Sequence, residues 1–112
     1  MNVSSLSAAQ AFTTKDGSAI RELHHTDRQS LAEATLAAGQ ATRRHHHART
    51  EEIYIVLAGE GEMELGGEER RVAPGDAVLI PPGEPHSIRA VGELRFLCSC
   101  APPYSDADTF FD

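Results

Sequence analysis

The densest chemistry in the 112-residue chain lies in Arg43-Arg44-His45-His46-His47-Ala48-Arg49-Thr50-Glu51-Glu52. His45 and His47 stand two apart, which on an extended strand puts both imidazoles on one face and turns His46 to the other. Neutral imidazole together with carboxylate suits a borderline divalent ion. Histidine runs also occur in loops and in terminal tags, but this run is internal. Glu51 and Glu52 are the adjacent carboxylates, and their residue types alone do not choose between them. If Glu52 points inward, Tyr54 and Val56 share its side while Ile53, Ile55 and Leu57 point outward. Tyr54 is then either a hydroxyl that moves a proton near the ion or a core tyrosine with its hydroxyl satisfied.

The elements that must hold these groups read as strands. From Ala11 onward short apolar runs alternate with turn punctuation: Asp16-Gly17, Gly39, Gly59 to Gly61, Gly66-Gly67, Pro74-Gly75-Asp76 and Pro81-Pro82-Gly83. Turns at this spacing mark an all-β barrel or sandwich. Leu31 to Ala38 has a helix-favouring composition, but Gly39 and the histidine run follow at once, and a strand is preferred there. Residues 1–10, rich in Ser and Ala, read as an arm. Residues 11–105 form one barrel, and 106–112 an acidic tail whose Phe110-Phe111 either caps the barrel or frays.

Two motifs, met in order, make the chain resemble the cupin superfamily. Gly39, His45, His47, Glu52 and Gly59 satisfy G-x5-H-x-H-x3,4-E-x6-G, and Gly75, Pro81, Gly83 and His86 satisfy G-x5-P-x-G-x2-H-x3-N, except that Ala90 replaces the final Asn. Glu60 to Pro74 separates them, as in compact microbial cupins. The resemblance implies a double-stranded β-helix, a jelly-roll barrel. It also implies one divalent metal ion (Fe, Mn, Ni or Zn) held by His45, His47, Glu52 and His86, with one or two coordination positions left for water or substrate. The same spacing favours Glu52 over Glu51.

Fold alone does not give the reaction. The leading expectation is a metal-dependent enzyme of dioxygenase, isomerase or lyase type, acting on a small polar or carbonyl-bearing molecule. The alternative is a non-catalytic module that binds or senses a small ligand. Arg43, Arg44 and Arg49 read as an ordinary charged surface in preference to an anion site, His24 and His25 as exposed, and Cys98 and Cys100 as small buried residues that form no disulfide with each other.

Ten basic against seventeen acidic residues, a net charge of −7, provide no footprint for nucleic acid or an anionic membrane. No apolar stretch has the length of a membrane span, and the first ten residues do not resemble a leader, so a cytoplasmic protein is expected. Ile53-Tyr54-Ile55-Val56-Leu57 is apolar throughout. Its outward residues need a cover, from a second sheet of the chain, the N-terminal arm or a second subunit, and a homodimer is the preferred reading.

Overall fold

Alternation of burial decides the local structure. In Glu51–Ala58 the residues Glu52, Tyr54 and Val56 are buried while Ile53, Ile55 and Leu57 are exposed, the period of a strand with one face on the interior. Ser30–Leu36 is likewise a strand. It turns Ala34 and Leu36 inward and is hydrogen-bonded on both sides, which outweighs its helical composition.

The computed structural model describes residues 1–112. In chain order the strands are β1 (Phe12–Thr13), β2 (Ala19–His25), β3 (Ser30–Leu36), β4 (His45–His47), β5 (Glu51–Ala58), β6 (Gly61–Leu65), β7 (Glu68–Val72), β8 (Ala77–Ile80), β9 (His86–Ala90), β10 (Leu94–Ala101) and β11 (Thr109–Phe111), with one 3-10 turn at Asp106–Asp108. They form two antiparallel sheets, ordered β1-β2-β3-β10-β5-β8 and β11-β4-β9-β6-β7. The chain crosses from the second sheet to the first between β4 and β5, and back again into β6. The result is an all-β jelly-roll barrel. No helix is long and apolar enough to cross a membrane.

Register divides the interior into two ends. Across β3, β10 and β5, Ala34 pairs with Phe96 and Phe96 with Val56, whereas Ser30 pairs with Cys100 and Cys100 with Glu52. The first set belongs to an apolar core that includes Leu36, Ile88 and Leu94, all essentially inaccessible to solvent. The second set is polar and lies at the other end. A one-residue slip of β5 would replace Glu52 by Glu51 or Ile53 and turn Val56 away from Phe96, so packing of Val56 against Phe96 also fixes the carboxylate.

Two glycine turns hold that register. Gly59 has φ +77° and closes the β5–β6 turn, where a Cβ would collide with the Glu93 carbonyl. Gly83, in the Pro81-Pro82-Gly83 turn, donates its N–H to the His47 carbonyl at 2.7 Å, joining the second motif to the first. Residues 106–112 supply the 3-10 turn and β11, which pairs with β4: Thr109 opposite His47 and Phe111 opposite His45. Residues 1–10 are largely exposed, and their backbone bonds are local ones such as Ala8 N–H to Ser5 O at 3.1 Å.

Candidate metal centre

His45 and His47 lie on β4, and His86 opens β9 directly opposite His45. All three are buried, and one ring nitrogen from each lies within 4.8 Å of the others. Their tautomers follow from their partners. Nδ1 of His45 is 2.7 Å from the Arg43 carbonyl, Nδ1 of His47 is 3.2 Å from the Asp108 carbonyl, and Nδ1 of His86 is 3.0 Å from the Glu84 carbonyl. A carbonyl oxygen only accepts, so each Nδ1 carries the proton and donates it. Each neutral ring therefore presents a bare Nε2. This arrangement orients imidazoles at metal centres generally.

Glu52 comes from the opposite sheet. Its Oε1 is 3.4 Å from His47 Nε2 and 3.4 Å from His86 Nε2. Oε1 and His86 Nε2 are buried without a hydrogen-bond partner. Such orphaned atoms are costly unless something satisfies them. Neighbouring ligands of one ion, each roughly 2.0–2.2 Å from it, sit roughly 3–3.5 Å apart, so these donors fit a shared divalent cation. The other oxygen, Oε2, accepts from Cys100 Sγ at 3.3 Å, which leaves Oε1 aimed at the imidazoles.

The charges are arranged to match. Burial raises the Glu52 carboxyl, but in the metal-free chain His47 and His86 beside it, when protonated, prevail and hold it at about 2. Burial also disfavours charge on His47, yet Glu52 outweighs it and raises that imidazole. His45, farther from the carboxylate, is lowered by burial and by His86. Of these, His45, His47 and Glu52 line a cavity of about 40 Å³, whose wall also carries Asp16, Tyr54, Phe96, Cys98 and Tyr104. Burial, with Glu52 adding to it, raises Tyr54 and Cys98 well above their usual ranges. Burial and the Asp106 hydrogen bond raise Tyr104. All three therefore keep their protons at neutral pH.

Residues outside the cavity have other work. His46 faces away and pairs with Asp112 at 2.8 Å, stacked on Phe110. Arg43 covers the Phe111 ring at 3.9 Å, Arg44 pairs with Glu64 at 2.5 Å, and Arg49 gives its backbone N–H to Asp108. His24 and His25 are exposed, and Glu51 is exposed where Glu52 is buried. Cys98 and Cys100 are free thiols. Three contributors escaped the sequence reading: Asp16, read as turn punctuation; the Asp108 carbonyl that orients His47; and Tyr104 in the wall. None lies in either motif, and backbone acceptors leave no trace in residue type.

Residues 32–100 match the family described as Cupin domain. The chain is 47% identical over 105 residues to the uncharacterized protein MJ1618 of Methanocaldococcus jannaschii, covering 88% of this chain and 84% of that protein. It is 33% identical over 79 residues to the oxalate-binding protein of Thermotoga maritima, covering 69% of this chain and 65% of that one. Among solved structures, that of KdgF from Halomonas sp. superposes with a TM-score of 0.85 at 25% identity, covering 93% of this chain and 96% of that one.

Proposed function

The chain belongs to the cupin domain family, and from that premise we propose that it is a metal-dependent enzyme of the isomerase or lyase type, acting on a small polar or carbonyl-bearing molecule. His45, His47, His86 and Glu52 would hold one divalent ion. The observation that carries this reading is the pair of buried, unpartnered atoms, Glu52 Oε1 and His86 Nε2, of which Glu52 also lines the cavity. A divalent ion held there would supply Lewis acidity toward a carbonyl oxygen. The chain supplies the rest. Tyr54, on the Glu52 face of β5 and in the cavity wall, keeps its proton and would hydrogen-bond a substrate oxygen through it. Phe96, Ile20 and Ala34 line the cavity with apolar surface that limits water around the reacting atoms.

A second reading is a non-catalytic module in which the ion only orients a small ligand. Tyr54, Cys98 and Tyr104 all favour it, because each is held protonated and none is poised to act as a base near neutral pH. The Thermotoga maritima oxalate-binding relative supports it as well. Reconstituted protein incubated with small hydroxycarbonyl compounds and followed by proton NMR separates the two. Metal-dependent turnover that Tyr54→Phe slows supports the enzyme; saturable binding with no product supports the module.

For the assembly, we infer a homodimer through the outer face of β5 and β8. Ile53, Ile55 and Leu57 are 36–40% exposed and Leu79 is 55% exposed, and neither the second sheet nor the arm covers them within one chain. Ile53 and Leu79 are cross-strand partners, so these side chains make one patch near a sheet edge. The interior site and the charge of −7 support a small molecule, not nucleic acid or membrane, as the partner.

A further inference from the structure

Asp16 stands outside both histidine motifs, in the turn between β1 and β2, yet it lines the same cavity. Its carboxylate is fixed from one side. Oδ1 accepts hydrogen bonds from Thr14 Oγ1 at 2.6 Å, Ser18 N at 3.0 Å and Ser18 Oγ at 2.7 Å. The turn is tied in its own right to the lead-in of β4, where Arg43 N–H donates to the Asp16 carbonyl at 2.8 Å. Three donors on one oxygen leave Oδ2 toward the centre, 3.9 Å from His45 Nε2. That is beyond hydrogen-bond reach, so the lone pairs of Oδ2 are available to a molecule in the cavity.

The cavity wall contains acidic side chains, Asp16, Glu22 and Glu52, and no Lys or Arg. Two carboxylates at the centre already offset the charge of a divalent ion. A ligand bearing a second carboxylate would find no Lys or Arg to receive it and would bring negative charge toward Asp16. A ligand bearing a hydroxyl would find an oriented acceptor. The small volume admits few heavy atoms beside the centre.

We propose that Asp16 determines ligand specificity: its Oδ2 accepts a hydrogen bond from a ligand hydroxyl, so the site takes a small α-hydroxy acid or hydroxyketone in preference to a dicarboxylate. The inference rests on the metal reading above and deepens it.

The test uses the full chain, wild type and Asp16→Asn, loaded with Co(II). Loading is measured by elemental analysis, and each protein is titrated with glycolate and with oxalate while the visible absorption is followed. Asparagine keeps an acceptor for Thr14 and Ser18 and replaces the free acceptor by an amide donor. Equal Co(II) loading is expected, with wild type preferring glycolate. Asp16→Asn weakens glycolate by about tenfold or more and strengthens oxalate, because one charge-assisted hydrogen bond is lost and one repulsion removed. An unchanged glycolate-to-oxalate ratio on loaded protein overturns the proposal. Loss of Co(II) from Asp16→Asn alone also overturns it, since the carboxylate would then be holding the ion. Failure of both proteins to take up Co(II) is a separate result that removes the metal reading and this inference together.

Discussion

Three bare Nε2 atoms are set by three backbone carbonyls, and one Glu52 oxygen by a cysteine thiol. Each of these donors thus depends on a partner outside the donor set. His46, one residue away, is spent on Asp112 and Phe110. His46→Ala is therefore expected to leave metal content near wild type by elemental mass spectrometry; its loss would mean that β4 presents the opposite face. The Glu52 carboxyl gives a pH prediction for the metal-free protein. Its value is lowered from 4.5 to about 2 in the folded chain. A carboxyl lowered on folding contributes stability that is present above the unfolded value and lost as pH falls through the folded one. The melting temperature of metal-free wild type should fall as pH drops from about 4.5 toward 2, and Glu52→Gln should fall less steeply over that window. Parallel curves for the two proteins would show that the carboxylate gains nothing from His47 and His86.

The tail joins the site at the level of elements. Asp108 accepts from His47 Nδ1 through its carbonyl and from the Arg49 and Thr50 N–H groups through its carboxylate, while β11 pairs with β4. A chain ending at Ser105 is expected to keep its β-sheet circular dichroism, because the apolar core lies in other strands. Its metal affinity should drop by about 10- to 100-fold, the usual effect of losing a group that orients a ligand. Undiminished affinity in a competition titration would remove the tail from the centre. The two faces of β5, Glu52, Tyr54 and Val56 against Ile53, Ile55 and Leu57, were legible from strand geometry, but which of them turns inward was legible only through the family spacing that favours Glu52, because residues 53–57 are apolar throughout. Ser30–Leu36 was legible only against its helical composition, from the glycine and histidines that follow it. The four convergent donors were legible through family spacing, since nothing in β4 by itself says that β9 will lie opposite. Asp16 was not legible, because a carboxylate in a turn reads the same whether it faces solvent or a cavity.

As a whole molecule, the chain places a polar centre at one end of a closed barrel and leaves an apolar patch on its outer face. A second copy covering Ile53, Ile55, Leu57 and Leu79 predicts a dimer by light scattering. Ile55→Lys should shift it to monomer with little change in metal content, since residue 55 faces away from the cavity; a wild-type monomer at high concentration would dismiss the dimer. The central claim is that His45, His47, Glu52 and His86 hold one ion, and elemental mass spectrometry on untagged protein tests it most directly, wild type beside His47→Ala. One divalent ion per chain in wild type and none retained by His47→Ala is the predicted result. Wild type that stays metal-free after reconstitution with Fe(II), Mn(II), Ni(II) and Zn(II), or full occupancy in His47→Ala, would contradict it.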